Sequence, residues 1–347
     1  MEQQFVVTVG IPVYNVVRYI RQMMDSVLSQ TFPSIEILIL DDCGTDGSID
    51  IVREYQQTHP RGRDIRILHQ PHNMGIGEAR NRMLAEAQGR YFYSLDADDA
   101  IEPNTIELLY NTAQQHQAEI VYGSYDRIFT ENDEVVKIVP YPYAHHVFTD
   151  EDVYADYVYH VGIQGMNWNY LIDLDVIRRN HLKVTPVGHG YGEDFTFTID
   201  LPTYITRAVL LPDITYHYYI RGIDKHKRKK VLSRRNMTLA VEALNEKKNR
   251  RELMDKSYNS KRISILMMLL CSFACEMIAR RDEFDQPFTN REVRDALRHP
   301  MTFWQIISSK SGRFHNILYW TLGVVPPFLC VWMLKPMIRR YGVQKVK

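Results

Sequence analysis

Cysteine is scarce in this chain: there are four in 347 residues, Cys43, Cys271, Cys275 and Cys330. None forms a CxxC pair, and no His/Cys cluster accompanies them. That excludes a structural zinc module and a disulfide-stapled secreted scaffold, and free thiols imply a reducing, cytoplasmic compartment. The opening stretch MEQQFVVTVGIPVYN carries acid and amide groups where a secretory leader has basic ones, and its apolar run is short. Internal repeats and low-complexity tracts are missing. Net charge is missing too, with 42 Lys+Arg against 42 Asp+Glu. What remains is an ordinary globular composition, 45% hydrophobic and 24% charged, in a chain long enough for two domains.

The neutral balance hides an asymmetry. Residues 1–224 hold 16 basic and 32 acidic side chains, whereas residues 225–347 hold 26 and 10. Charges of −16 and +16 suggest two tasks, with the rear part facing something anionic. No nucleic-acid recognition motif accompanies the basic residues, so a membrane surface is the expected partner and nucleic acid is not. The run KHKRKK at 225–230 is the expected boundary between a domain over 1–224 and a basic helical region over 225–347.

Through residue 117, short apolar runs alternate with helical periodicity. FVVTVGIP, IEILIL, IRILHQ and RYFYSL read as strands, and 16–30, 46–58, 76–88 and 103–117 as helices. This alternation predicts an α/β fold with a mostly parallel sheet covered on both faces. Ligands of such sheets bind beyond the carboxyl ends of the strands, so the turns PVYN, DDCGTDGS and DADDAIEP should open onto one crevice. Beyond residue 119 the pattern predicts strands near 119–125, 134–139, 204–211 and 214–220, helices near 150–160 and 193–201, and a helical tail.

The turn after the fourth strand, YFYSLDADDAIEP, crowds Asp96, Asp98 and Asp99 together. At an effective dielectric of ~20, each like-charge pair at roughly 5–6 Å costs about 3 kcal/mol. A bound cation relieves that cost, and an all-oxygen donor set selects a hard ion such as Mg²⁺ or Mn²⁺. Ala100 and Ile101 fall where a calcium-binding EF-hand loop needs a ligand and a glycine, which removes that reading. A hard cation on one or two carboxylates completes its shell with water and phosphate, so the acids point to a diphosphate ligand.

Four blocks, TVGIPVYNVVRYIRQMMDSVLSQTF, EILILDDCGTDGS, NMGIGEARNRML and YSLDADDAIEP, in this order over about residues 5–110, resemble the successive motifs of family 2 glycosyltransferases. The resemblance implies the GT-A fold, a Rossmann-like mixed sheet. It also implies inverting transfer of a sugar from a nucleotide-sugar and a divalent metal, Mn²⁺ or Mg²⁺, on the diphosphate. By that resemblance Asp98 is the direct metal ligand, and Asp96 contacts the donor or the metal. Asp99 either supports these two or caps the helix after Pro103. Pro12 and Tyr14 are placed to meet the nucleotide base, Tyr14 by stacking, and Asp42 to accept the N3–H of uracil, which favours UDP. Successive strand residues face opposite ways, so Asp41 serves the turn instead. Arg80 stands where a dinucleotide-binding fingerprint needs Gly or Ala, and the block follows the third strand, so Arg80 is assigned to the donor sugar or diphosphate.

Inverting transfer needs a general base for the acceptor hydroxyl. Glu193 and Asp194, after Gly188, Gly190 and Gly192 in GHGYGEDFTF, are similar to the family's acidic pair, and Asp194 is the expected base. His217 and Arg221, in YHYYIRGIDKHK, are candidate partners of the metal and the diphosphate. Trp168 is either an acceptor platform or core. In the tail, 263–275 is too short to span a bilayer, and 317–334 is interrupted by Pro326-Pro327. With Trp320, Phe328 and Trp332, and with Lys335, Arg339, Arg340, Lys345 and Lys347 after them, 317–334 is expected to lie on the inner face of the plasma membrane, near a glycan or lipid-linked acceptor. A nucleotidyltransferase, which would want a glycine-rich basic loop after the first strand, and an inactive nucleotide- or glycan-binding module are the alternatives.

Overall fold

A computed structural model describes residues 5–132, 134–161, 166–186, 193–221, 233–309 and 313–340. The expected boundary run 225–230, the glycines at 188, 190 and 192, Lys345, Lys347 and the side chains of Arg339 and Arg340 lie outside the described residues.

The chain opens with β1 (Val7–Val13), α1 (Ile20–Leu28), β2 (Ile35–Asp41), α2 (Ser48–Thr58), β3 (Ile65–His69), α3 (Ile76–Glu86) and β4 (Tyr91–Ser94). It continues with β5 (Ala100–Ile101), α4 (Thr105–His116), β6 (Ile120–Glu131), β7 (Glu134–Tyr141), β8 (His146–Phe148), α5 (Glu151–Val161), β9 (Tyr170–Asp173), α6 (Leu174–Arg179), α7 (Glu193–Thr198) and β10 (Ala208–Arg221). Six helices close it: α8 (Arg234–Lys248), α9 (Asn259–Ala279), α10 (Asn290–Ala296), α11 (Phe303–Ser308), α12 (Arg313–Val324) and α13 (Pro327–Arg340).

The strands form one ten-stranded sheet in the order β3-β2-β1-β4-β9-β6-β10-β5, with β7 on β6 and β8 on β10. The block β3-β2-β1-β4 is parallel, and so is β6 with β10; β9, β5, β7 and β8 join antiparallel. This mixed sheet has helices on both faces, and the alternation of β2 shows why. Ile35, Ile37 and Ile39 pack with Met23 and Val27 of α1 and Leu109 of α4, while Leu38 and Leu40 pack with Ala79 and Met83 of α3 and Val176 of α6. The runs expected near 204–211 and 214–220 form a single strand, β10. Its ladder with β6 shifts register between Leu210 and Ile214, around Pro212, which has no N–H to contribute.

The closing helices enclose a third core around α9, whose apolar residues Ile263, Leu266, Leu270 and Phe273 are buried. By length and composition α9 can cross a membrane, but 67% of its apolar window is buried inside the protein. This core reaches into the first part of the chain through Ala155, Tyr159 and Ile199. The Pro326-Pro327 pair separates α12 from α13, because proline cannot continue the hydrogen-bond ladder.

The contact between the two parts centres on Asp200, just after α7. Its buried carboxylate accepts from Lys247 Nζ at 2.5 Å, Arg262 Nη2 at 2.8 Å and Arg250 Nη2 at 3.1 Å. Burial alone would raise the Asp200 carboxyl, but these three cations outweigh it and hold it below the ordinary value.

Candidate active site

Three adjacent parallel strands deliver the front of the site. Val13 of β1 is paired with Asp41 of β2, so Tyr14 and Asp42 stand one residue beyond that pair. On the other side of β1 lies β4, followed by Asp96 and Asp98. With Arg80 of α3 and Glu193 and Asp194 of α7, these residues line one cavity of 510 Å³, together with Pro12 and Asn73. The structure thus brings together eight of the ten residues expected above to meet the donor, the metal or the acceptor hydroxyl, His217 and Arg221 being the other two.

Each is held by local chemistry. Tyr14 is 45% exposed, with its ring open to a stacking partner. Asp42 is buried and accepts the backbone N–H groups of Met74 at 2.8 Å and Gly75 at 3.0 Å, fixing the turn before α3. A carboxylate has about four acceptor directions, so Asp42 keeps capacity for a ligand N–H. Gly75, at φ 85°, takes a conformation open to glycine. Asp41 serves the neighbouring turn, accepting from Cys43 N at 3.1 Å and meeting His69 Nδ1 at 2.9 Å.

Arg80 is the hub of the cavity. Its buried guanidinium reaches Asp96 Oδ1 at 3.0 Å and is ion-paired with Asp194. Asp194 also accepts from Asn167 Nδ2 at 3.1 Å. Burial pushes the Asp194 carboxyl up to about 6, with the Asp96 and Glu193 charges adding to the rise and Arg80 opposing it. The Glu193 carboxylate and the Pro186 Cα each come to 3.0 Å from where a Cβ on Gly77 would stand, so a side chain there would crowd the first turn of α3 against both.

Asp98 Oδ2 meets Arg221 Nη1 at 3.1 Å, and the same guanidinium bonds the Asp98 carbonyl and stacks 3.7 Å above the Tyr19 ring. Burial and the Asp96 charge raise the Asp98 carboxyl, against the pull of Arg221. Arg221 thus reaches the cavity through Asp98 and is not itself one of its lining residues. His217 does not join the cavity residues. Its Nδ1 lies 2.9 Å from Asp126 and its Nε2 3.0 Å from Glu102, so both ring nitrogens are engaged and the expected metal role for it fails. The capping role weighed for Asp99 also fails, since α4 starts at Asn104 with no side-chain cap. Asp99 is buried and accepts from Tyr216 Oη and Tyr219 N, both at 2.8 Å, pinning the acidic turn to β10. Trp168 is core, stacked 4.3 Å from Tyr216.

Among the described residues no three His, Cys, Asp or Glu side chains form a complete metal cage. Asp96 and Asp98 fit a hard cation that takes one or two carboxylates and draws its remaining oxygens from a bound phosphate and water. Burial first, and then the Asp96 charge, make the Asp98 carboxylate costly, and a bound cation would offset both.

Residues 8–169 match the family model described as glycosyl transferase family 2. Escherichia coli K12 "uncharacterized glycosyltransferase YibD" is 28% identical over 222 residues, covering 62% of this chain and 61% of that protein. The chain thus spans about three-fifths of the length of this curated relative. Among solved structures, S. aureus TarS 1–349 in complex with UDP superposes with a TM-score of 0.59 at 18% identity, covering 99% of this chain and 93% of that one. Mannosyltransferase PcManGT from Pyrobaculum calidifontis, in complex with GDP-Man and Mn²⁺, gives 0.50 at 15% identity, covering 92% and 86%. The chain has the GT-A fold, and its segment 8–169 is similar to glycosyl transferase family 2.

Proposed function

We propose that this protein is an inverting, metal-dependent glycosyltransferase that moves a sugar from a UDP-sugar to a hydroxyl of a glycan or lipid-linked acceptor. The observation that carries the reading is the convergence of Pro12, Tyr14, Asp42, Arg80, Asp96, Asp98 and Asp194 on one cavity. Tyr14 stacks on the base and Asp42 accepts its N–H. Asp96 and Asp98 would hold Mn²⁺ or Mg²⁺, which would supply positive charge against the diphosphate. Arg80 and Arg221 face the same anion. Asp194 Oδ takes the proton of the acceptor hydroxyl as its oxygen bonds to the anomeric carbon. On the opposite face the bond from that carbon to the diphosphate breaks, and its electron pair leaves with UDP. A carboxyl raised to about 6 is ionised near neutral pH yet basic enough for this step. UDP in TarS and GDP-Man with Mn²⁺ in PcManGT support a nucleotide-sugar and a divalent ion.

The work is placed at the inner face of the plasma membrane, in surface-polysaccharide synthesis. Among the described residues every exposed Phe or Trp falls between 303 and 332: Phe303, Trp304, Phe314, Phe328 and Trp332. Such a belt beside basic residues suits an anionic lipid surface.

The test is incubation with a panel of nucleotide-sugars, scoring nucleotide release with and without Mn²⁺. Release from a UDP-sugar, abolished by chelation and by Asp98→Asn, is expected. Release that survives both, or pyrophosphate in place of UDP, would overturn the reading.

A further inference from the structure

Three parts of the chain converge on one oxygen of Asp194. The carboxylate is carried by α7. Its Oδ1 accepts from Nη1 of Arg80 on α3 and, at 3.1 Å, from Nδ2 of Asn167, just ahead of β9. Arg80 and Asn167 are both buried, whereas 31% of the Asp194 side chain is exposed, in the cavity. Among the described residues no hydrogen bond reaches Oδ2.

From this arrangement we infer that Asn167 is a positioning residue for the base: with Arg80 it pins Oδ1 and leaves Oδ2 to meet the acceptor hydroxyl. The inference rests on the glycosyltransferase reading above, with Asp194 as the base. The O–H bond of the hydroxyl breaks and an Oδ2–H bond forms, while the freed oxygen bonds to the anomeric carbon and the diphosphate leaves.

The surroundings hold the amide still. Trp168, next in the chain, is stacked 4.3 Å from Tyr216 in the core. Asn169 is tied to Gly123 of β6: its Nδ2 donates to the Gly123 carbonyl at 2.9 Å, and its own carbonyl accepts the Gly123 N–H at 3.0 Å. Asn169 thus commits its amide to the backbone, and Asn167 does not. Asn167 is 4% exposed, its Nδ2 goes to Asp194, and its Oδ1 is buried without a partner among the described residues. A buried amide oxygen left unpaired is a cost to the fold. Packing therefore does not account for asparagine at this position, and the contact with Asp194 does.

A neutral amide suits the task. The charged and titratable groups facing Asp194 are Arg80 of α3, Asp96 after β4, Glu193 of α7 and the buried Tyr170 of β9. Arg80 is the cation among them and already pulls the carboxyl down. A second cation would pull it further and weaken the base, whereas an amide N–H orients the oxygen with a smaller pull. Asn167 is not a lining residue of the cavity, so it acts through Asp194 rather than on the substrate.

The test follows UDP release from the UDP-sugars of the panel above against pH, with the full chain and Mn²⁺. Asn167→Ala removes a donor to the carboxylate. The acidic limb, with its wild-type midpoint near 6, should move up by about one pH unit. The turnover number on the plateau should fall about tenfold as the carboxylate loses its orientation. Asn167→Leu keeps the shape and removes the unpaired oxygen along with the donor. It should melt near the wild type yet show the same limb and the same loss, and UDP affinity should hold in both variants. In an Asp194→Asn background Asn167→Ala should have no further effect, because the group it positions is gone; a loss of packing would persist there. An unmoved limb, a loss that persists in the Asp194→Asn background, or UDP affinity that falls with the rate would each overturn the role of Asn167. A limb that survives Asp194→Asn, or a wild type that releases UDP from no member of the panel, would instead overturn the reading on which it rests.

Discussion

Asp194 is held by opposing influences. Burial, Asp96 and Glu193 raise its carboxyl, while the Arg80 ion pair resists. A base must be deprotonated to act, so transfer should rise as pH passes about 6 and level off above. Asp194→Asn should abolish that limb, lower the rate by at least ~10²-fold and leave UDP affinity nearly intact, as pH–rate profiles and nucleotide titration will show. The stability sign is the reverse. With the folded value above 3.8, the fold favours the protonated form, and Asp194 becomes more costly to stability as pH rises from near 4 through 6. Thermal melts of Asp194→Asn at pH 7 should match or exceed the wild type. Asp99 behaves differently, as a tie rather than a reagent. Asp99→Ala strands the buried Tyr216 Oη–H, at about 1–3 kcal/mol, and the part-buried Tyr219 N–H at less. Asp99→Asn keeps both positions occupied and should retain most of the melting temperature. Asp42, Asp96, Asp98 and Asp194 were legible in the sequence because each stands at a strand or helix end within a short motif. The Arg80–Asp194 contact was not, since the partners are 114 residues apart. Nor was Asn167, which sits in an irregular stretch with no periodicity to mark its side chain.

The elements of the first 117 residues were legible because continuous apolar strands and amphipathic helices alternate there with strong periodicity. The three-residue β8 and four-residue β9 were too short to show a period. The stretches near 204–211 and 214–220 read as two strands, whereas one ladder runs past Pro212 with a register shift. The tie between α7 and the closing helices was illegible for a different reason: it joins Asp200 to cations 47 to 62 residues away. Its effect is to mount the helix that carries Asp194 on α8 and α9. Removing the one carboxylate leaves Lys247 and Arg262 buried without their counter-charge, and Asp200→Ala should cost about 3–5 kcal/mol, seen as a fall in the melting temperature. In the fraction that folds, the turnover number should drop while UDP affinity holds, because the nucleotide end belongs to β1, β2 and β4. Equal losses in both would show that Asp200 supports the whole fold rather than α7.

At the scale of the molecule, an acidic, cavity-bearing front is joined to a helical rear with an aromatic surface. Trp304 is 74% exposed and Trp332 64%, so Trp304→Ser with Trp332→Ser should spare the fold. The double variant should sediment less with vesicles containing anionic lipid, and added salt should release the wild type as well. A wild-type chain that stays in solution with such vesicles at low salt would remove the membrane from the account. The Asp200 tie has a practical consequence here. At 1 M salt the screening length is about 3 Å, short enough to cancel attraction between exposed cations and lipid. The Asp200 pairs are buried beyond the reach of those ions. On the proposed membrane attachment, brine should therefore wash the protein off anionic lipid with the Asp200 tie intact, making a high-salt extract a detergent-free starting material for purification.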